Sequence, residues 1–361
     1  MSRIDDLMLM IHNQEAMKAV IKSSPGPGFI EVDVPVPEPG TSEVRIRVEA
    51  ASICGTDIHL YDWNPWAAGR VVPPRIMGHE ICGVIDAIGS GVTDRAVGTR
   101  VAVESHIVCR TCPECLRGEF HVCRNTSILG VDRDGGFAEF IAVPSVNTWP
   151  LWDDCDPAVG AAMEPVGNAV HATSVADLSG STVVVMGAGP IGCACCAIAR
   201  AKGAAHIIAV DRSPFRAALA KTMGADAGCT LEPGASMQEV ISQVLGDREV
   251  DGVLEMSGAV EAIQTAVHLV RPGGWISMLG LGDAPVAVDF STDVVMRGLT
   301  LYGIVGRELF ATWEETTRLI RTGAISMTSL ITDRLPFTGS AIDEAVRRLK
   351  KGTSGKIVLT R

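Results

Sequence analysis

The sequence has no long basic tract, although it is long enough to form two folded domains. Its 361 residues include 31 Lys and Arg against 42 Asp and Glu, which gives a formal net charge of −11. Binding of nucleic-acid phosphates requires grouped Lys and Arg side chains, so this composition excludes a nucleic-acid surface. The sequence also contains no internal repeat and no low-complexity tract. A chain of this length and composition is expected to form two globular domains.

The signatures of export and of membrane insertion are missing as well. Residues 1–16 have no basic segment followed by an apolar run, so they are interpreted as an N-terminal extension and not as a targeting peptide. The uncharged run 178–199 has the length of a membrane span, but Gly187, Gly189, Pro190 and Gly192 interrupt it. These interruptions favour a buried strand, turn and helix, and no membrane partner is expected.

A disulfide framework is not expected either. The chain has 11 cysteines, an odd number, and the sequence shows no signal peptide that would direct it to an oxidising compartment. These cysteines are therefore predicted to be reduced thiols and metal ligands in a cytoplasmic protein.

One stretch near the N-terminus carries the residue types of a catalytic zinc site. Cys54 opens the sequence CGTDIH, and His79 and Glu80 follow after a loop rich in Trp and Pro. Thiolate, imidazole and carboxylate are the ligands of catalytic zinc, and three firm protein ligands leave one position open for substrate or water. Thr56 and His59 lie beside these ligands in sequence and could carry a proton from the alcohol to solvent. The alternative is that Cys54 is an ordinary buried thiol and His79 a core histidine.

A second metal motif consists of four cysteines in one loop. Cys109, Cys112, Cys115 and Cys123 form two overlapping C-x-x-C steps and a fourth thiol. This spacing predicts a tetrahedral structural zinc site. A redox C-x-x-C pair is the alternative, but it would need only two of the four thiols.

Glu164 is a further candidate acid, although by itself it is more typical of a protein surface. Pro165 follows it, and a following proline disfavours helical backbone. We therefore expect Glu164 to lie outside a helix, with its carboxylate aimed back towards the metal.

A third motif predicts dinucleotide binding. The apolar strand 182–186 is followed by the fingerprint Gly187, Gly189, Pro190, Ile191 and Gly192 and by an alanine-rich helix. The next strand, 206–210, ends at Asp211, which is followed by Arg212. A G-x-G-x-x-G sequence between a strand and a helix, with an acid about 20 residues later, is the context that dinucleotide binding requires. The glycines allow the pyrophosphate to approach the helix N-terminus, and Asp211 could accept hydrogen bonds from the ribose.

The remaining patterns indicate two kinds of fold. Short Val- and Ile-rich runs at 18–22, 43–49 and 82–88, separated by Pro and Gly, predict a small β barrel or sandwich. Strands alternating with helices from residue 182 onwards predict a doubly wound parallel sheet. The predicted later elements are strands at 250–256, 274–279, 299–304 and 356–360 and helices at 260–270, 309–321 and 341–350.

In this order, the CGTDxH, GHE, four-cysteine and glycine-rich motifs resemble those of the zinc-dependent medium-chain dehydrogenases. The similarity covers residues 17–361 and implies an α/β architecture, with a GroES-like β-rich catalytic domain and a doubly wound Rossmann coenzyme domain. It implies domain limits of 1–164 and 305–361 for the catalytic domain and 165–304 for the NAD-binding domain. Five further segments resemble the members that oxidise L-threonine: ASICGTDIHLYDW, HVCRNT, GNAVH, LEMSG and GRELF.

The resemblance also implies roles for individual residues. Cys54, His79 and Glu164 would hold the catalytic zinc, with Glu80 as an additional or exchanging ligand. The four-cysteine loop would hold the structural zinc, Thr56 and His59 would relay the proton, and His106 would influence the choice of substrate.

The expected activity is oxidation of L-threonine by NAD⁺ to L-2-amino-3-oxobutanoate, through an alkoxide stabilised by zinc, in a homotetramer. A zinc-dependent polyol or 2,3-butanediol dehydrogenase is the alternative enzyme. A non-catalytic zinc- and dinucleotide-binding protein is the alternative from another class, and loss of Cys54, His79 or Thr56 would favour it.

Overall fold

The structure, a computed structural model, describes residues 15–282 and 284–361. Of the predicted N-terminal extension, residues 1–14 lie outside this range. The chain divides into two units with separate cores. Unit 1 ends at Glu164 and resumes with Asp333–Lys351 and Lys356–Arg361, while unit 2 comprises Pro165–Thr332 and Gly352–Gly355.

The strands are numbered in chain order. They are β1 (Ala16–Lys22), β2 (Ile30–Pro35), β3 (Glu43–Ser52), β4 (Arg75–Ile76), β5 (Glu80–Ile88), β6 (Arg100–Val103), β7 (His106–Ile107), β8 (Ser127–Ile128), β9 (Phe140–Pro144), β10 (Thr148–Pro150), β11 (Thr182–Met186), β12 (His206–Asp211), β13 (Ala227–Thr230), β14 (Val250–Glu255), β15 (Val270–Met278), β16 (Thr300–Gly303), β17 (Ile331–Pro336) and β18 (Lys356–Thr360).

The helices are numbered separately. They are α1 (Gly55–Asp62), α2 (Pro65–Arg70), α3 (Pro113–Leu116), α4 (Pro157–Ala172), α5 (Pro190–Ala201), α6 (Pro214–Thr222), α7 (Met237–Leu245), α8 (Val260–Leu269), α9 (Ala311–Arg321), α10 (Met327–Leu330) and α11 (Gly339–Lys351). Two short 3₁₀ helices, Phe120–Val122 and Ser145–Asn147, and a π-helical segment, Phe290–Val295, complete the regular structure of the described residues.

Unit 1 is built on antiparallel β-structure. Its large sheet has the order β10-β6-β5-β3-β18-β17, and β9 pairs with β3 as well. Val44, Ile46 and Val48 alternate along β3 and are fully buried, as expected for a strand with one face in the core. A smaller three-stranded sheet in unit 1 has the order β2-β1-β4. The predicted β-rich domain is confirmed.

Unit 2 contains a six-stranded sheet with the order β13-β12-β11-β14-β15-β16. Every neighbouring pair in it is parallel. All five residues of β11 are buried, because the strands of a parallel sheet are covered on both faces by helices. This strand order is that of a doubly wound dinucleotide-binding fold, so the predicted Rossmann domain is confirmed.

The second domain limit differs from the predicted one. The family resemblance implied that the catalytic domain resumes at residue 305, whereas unit 2 of the structure extends to Thr332. The reason is that α10 packs against α5 and α6 of the Rossmann fold.

Among the described helices, none is long and apolar enough to cross a membrane.

Candidate metal and coenzyme sites

The predicted catalytic ligands Cys54, His79 and Glu80 come together in unit 1. One potential ligand atom from each lies within 4.8 Å of the other two. Cys54 is the N-cap residue of α1, His79 precedes β5, and Glu80 is the first residue of that strand. Gly78 makes this turn possible, because its φ is +86° and a Cβ there would lie 2.2 Å from the Phe137 ring.

The environment of these side chains favours a cation. His79 and Glu80 are 5% and 0% exposed, and neither His79 Nδ1 nor Glu80 Oε1 has a hydrogen-bond partner. Burial lowers the pKa of His79, but the charges of Cys54 and Asp57 outweigh burial and raise it to about 10. Buried ligand atoms without partners, set in a negative environment, fit a zinc ion.

Sequence reasoning missed the buried base that faces Glu80. Lys356 is 2% exposed, its Nζ forms an ion pair with Glu80 Oε2, and it donates to the Ile53 carbonyl at 2.8 Å. Burial opposes both charges, but their mutual attraction outweighs it, so the pKa of Lys356 is raised and that of Glu80 is lowered. The Ser52 hydroxyl also donates to Glu80 Oε2. The one signal in the sequence was a lysine at the start of an apolar strand.

Glu164 does not have the predicted non-helical backbone. It lies inside α4, which continues through Pro165, so that expectation was wrong. A proline within a helix leaves the carbonyl four residues earlier without its amide donor. In this chain that carbonyl belongs to Ala161, and the Ser52 hydroxyl oxygen lies 3.4 Å from it, while the single hydrogen of this hydroxyl is donated to Glu80.

The Glu164 carboxylate is nevertheless directed into the interior of unit 1. It is 4% exposed, and its Oε1 accepts a hydrogen bond of 2.6 Å from Ser105 Oγ. Its charge helps to raise the pKa of His79. Glu164 lies outside the compact group of Cys54, His79 and Glu80, and its assignment as a zinc ligand stays a prediction.

The two predicted relay residues lie on α1. Thr56 is half-buried and His59 is exposed, and residues three apart share one face of a helix. The Asn64 side-chain amide lies 3.0 Å from His59 Nδ1. Because an amide nitrogen only donates, Nδ1 is the acceptor and the proton of the neutral ring resides on Nε2. The geometry is compatible with a relay, which stays a prediction.

His106 lies at the start of β7 and is half-buried. Its backbone amide donates to Glu104 Oε1 at 2.8 Å, and its Nδ1 lies 3.8 Å from the same oxygen. Glu104 is fully buried. The buried carboxylate therefore restrains both the backbone and the ring of His106.

The four predicted structural ligands also form one cluster. A sulfur from each of the four lies within 4.8 Å of the others. Backbone amides point at two of these sulfurs, at 3.3 Å for Cys109 and 3.4 Å for Cys123. Hydrogen bonds led by the Thr111 backbone amide lower the pKa of Cys109 to about 5. Thiolates held this closely repel each other, and a divalent cation removes that conflict, so the cluster fits zinc.

The coenzyme motif has the predicted strand–turn–helix context. Gly187 follows β11, and Pro190 is the first residue of α5. A Cβ at Gly192 would lie 2.0 Å from the Gly187 carbonyl oxygen, so only glycine allows this tight turn. Asp211 ends β12, and its carboxylate accepts hydrogen bonds of 2.8 Å from the amides of Ala188 and Ser213. These bonds fix the carboxylate beside the glycine turn.

A cavity of about 360 Å³ lies against this turn. Asp211 and Arg212 line it, together with Ser257 and Glu261. Sequence reasoning missed Glu255, which is fully buried. Glu255 Oε1 accepts from the amides of Ser257 and Gly258 at 2.9 and 3.0 Å, which shapes the loop along the cavity. The site fits a dinucleotide.

The presence in one chain of a Rossmann unit and of a β-rich unit with a Cys, His, Glu cluster defines the class of zinc-dependent, dinucleotide-dependent dehydrogenases. Family models agree: residues 40–153 match the alcohol dehydrogenase GroES-like domain, and residues 190–322 match zinc-binding dehydrogenases. The chain belongs to this family of alcohol dehydrogenases, and its cofactors are zinc and a nicotinamide dinucleotide.

Two curated relatives carry the name L-threonine 3-dehydrogenase. The chain is 41% identical to that of Bacillus velezensis, over 95% of this chain and 98% of the relative. It is 44% identical to that of Symbiobacterium thermophilum, over 96% and 98%. Among solved structures, 2R,3R-butanediol dehydrogenase from Bacillus subtilis matches with a TM-score of 0.84 and 26% identity, over 96% of this chain and 99% of that one.

Proposed function

We propose that this protein is an L-threonine 3-dehydrogenase. It would oxidise L-threonine with NAD⁺ to L-2-amino-3-oxobutanoate, NADH and a proton. The observation that supports L-threonine as the substrate is the sequence identity of 41% and 44% to L-threonine 3-dehydrogenases, over nearly the whole of each chain. The geometry of the Cys54, His79 and Glu80 cluster supports the reaction type.

The residues of unit 1 supply the parts that alcohol oxidation needs. Zinc, when bound, lowers the pKa of an alcohol and stabilises the alkoxide. Thr56 is half-buried on α1, and His59, three residues later, is exposed. A hydroxyl followed by an imidazole can pass the proton of the substrate to solvent. The substrate C3 would then transfer a hydride to the nicotinamide.

Recognition of threonine requires partners for two charges. A substrate ammonium or carboxylate left unpaired away from water costs several kcal/mol, about 2 to 7 for a polar group without a hydrogen bond. Glu164 is a buried carboxylate able to face the ammonium, and His106 is a half-buried imidazole able to face the carboxylate. Such a site would discriminate strongly against uncharged diols.

The coenzyme is proposed to be NAD rather than NADP. Asp211 and Glu261 both line the cavity beside the glycine turn, and two carboxylates repel the 2′-phosphate of NADP. Arg212 lines the same cavity and could offset part of this repulsion. Because Asp211 is fixed by two backbone amides, its carboxylate should dominate.

The assembly is proposed to be a homotetramer in the cytoplasm. Strand β16 is the last strand of the parallel sheet. Exposed apolar side chains directly precede it in the chain, with Phe290, Val295 and Met296 exposed by 61%, 71% and 82%. A second copy is the occupant that an edge strand beside an apolar patch fits best. Size-exclusion chromatography with light scattering tests it: wild type should be tetrameric and Met296→Glu smaller, whereas a monomeric wild type refutes the proposal.

A polyol or butanediol dehydrogenase is the second candidate, favoured by the similarity to 2R,3R-butanediol dehydrogenase. A non-catalytic protein is disfavoured, because Cys54, His79 and Thr56 are all present and the first two share one cluster. The test is the rate of NADH formation with L-threonine, L-serine, sorbitol and 2,3-butanediol. We expect the highest kcat/KM for L-threonine, and a higher value for sorbitol or butanediol would refute the threonine assignment.

A further inference from the structure

Asn147 lies where the pairing of two strands in unit 1 ends. Strands β6 and β10 are antiparallel, with Thr148 opposite Val103. One further backbone bond follows, from the Glu104 amide to the Asn147 carbonyl at 2.8 Å. Beyond this point the chain turns into residues 104–106, which carry Ser105 and His106.

The side chain of Asn147 continues the contact after the backbone pairing stops. Its Nδ2 donates to the carbonyls of Glu104 and His106, each at 2.9 Å, and the residue is 4% exposed. A carboxamide nitrogen carries two donor hydrogens, and both are used here. Two carbonyls of a bent segment therefore converge on one buried nitrogen.

This segment holds two groups of the predicted active site. Ser105 Oγ donates to Glu164 at 2.6 Å, and the His106 amide donates to Glu104 at 2.8 Å. We propose that Asn147 is a positioning residue for catalysis, because its two side-chain hydrogen bonds fix Ser105 and His106 relative to the zinc ligands. This proposal rests on the proposed function for its substrate but not for its geometry.

Removal of the Asn147 side-chain amide should displace residues 104–106 while the protein stays folded. Two buried carbonyls would lose their donors and turn towards other partners, and Ser105 and His106 would move with them. A displacement of about 1 Å at a catalytic group can reduce a rate on the order of a hundredfold.

The test uses full-length protein with cobalt in place of the catalytic zinc, and three variants. Asn147→Ala removes both donors, Asn147→Ser keeps one hydroxyl donor, and Thr148→Val is the matched control. Thr148 is the next residue in the chain and is also buried, but its hydroxyl contacts Ser145 and Arg95 instead of residues 104–106. The readouts are kcat and KM for L-threonine, KM for NAD, metal content and the visible absorption of cobalt.

For Asn147→Ala we expect kcat/KM for L-threonine to fall at least about tenfold, with two metal ions retained, KM for NAD unchanged and a shifted cobalt spectrum. Asn147→Ser should fall between Asn147→Ala and wild type, and Thr148→Val should keep the wild-type values. A variant that only lowers Tm, with wild-type kcat/KM and cobalt spectrum, overturns the proposal. If wild type does not oxidise L-threonine, the proposed function fails, while the cobalt spectra still decide on the positioning role.

Discussion

Replacement of Lys356 by methionine should destabilise the protein, and the structure allows the loss in the free energy of unfolding to be estimated. Lys356 and Glu80 are 2% and 0% exposed, and they form an ion pair. Methionine keeps the length of the side chain but leaves the Glu80 carboxylate buried without its cation. Removal of one partner of a buried ion pair costs about 3 to 5 kcal/mol. For a unit of this size that corresponds to a fall in Tm on the order of 10 °C.

The assay is the thermal unfolding of protein from which mild chelation has removed the catalytic zinc, with Lys350→Met as the matched control. Lys350 forms an ion pair with Asp62, but the two side chains are 42% and 41% exposed. An exposed pair contributes about 0 to 1 kcal/mol, so the control should change Tm by no more than a few degrees. The two variants lose the same charge, and the ion pairs that they lose differ in burial.

A double variant separates the charge from the packing. Adding Glu80→Gln to Lys356→Met removes the uncompensated carboxylate, so it should restore at least about half of the lost stability. Equal falls in Tm for Lys356→Met and Lys350→Met would refute the reasoning. So would a double variant less stable than Lys356→Met alone.

Three further predictions concern the metals, the substrate and the coenzyme. Metal analysis should find two zinc ions per chain. Mild chelation should abolish activity before the protein unfolds, because a closed Cys₄ site holds its ion more tightly than an open site. A single zinc ion in fully active enzyme would contradict this prediction. His106→Ala should lower kcat/KM for L-threonine at least about tenfold, the loss expected from one polar contact, with unchanged zinc content; full activity would argue against its role. Wild type should prefer NAD, and Asp211→Ser should raise kcat/KM for NADP relative to NAD at least about tenfold; equal use of both coenzymes by wild type refutes this assignment.

The parts of the fold that the sequence predicted are those with a local signal. The alternation of Val44, Ile46 and Val48 and the continuous apolar run of β11 each identify a strand without reference to the rest of the chain. The glycine turn after β11 and the spacing of the four cysteines are also local, because a turn or a metal loop is formed by neighbouring residues.

The parts that could not be predicted depend on partners distant in sequence. Pro165 indicated a break in helical structure, and nothing near it in sequence shows that the helix continues through it to Ala172. Lys356 and Glu80 lie far apart in the sequence, and they meet because β18 and β5 both pair with β3. No pattern of neighbouring residues encodes such a contact.

The central claim is that this protein transfers a hydride from C3 of L-threonine to NAD⁺ at a zinc site. The most direct measurement is the mass of the reduced coenzyme formed from L-threonine deuterated at C3. Zinc-loaded enzyme should form NADH carrying one deuterium, and chelated enzyme should form none. Unlabelled NADH from the deuterated substrate, or the absence of NADH formation with zinc-loaded enzyme, would contradict this claim.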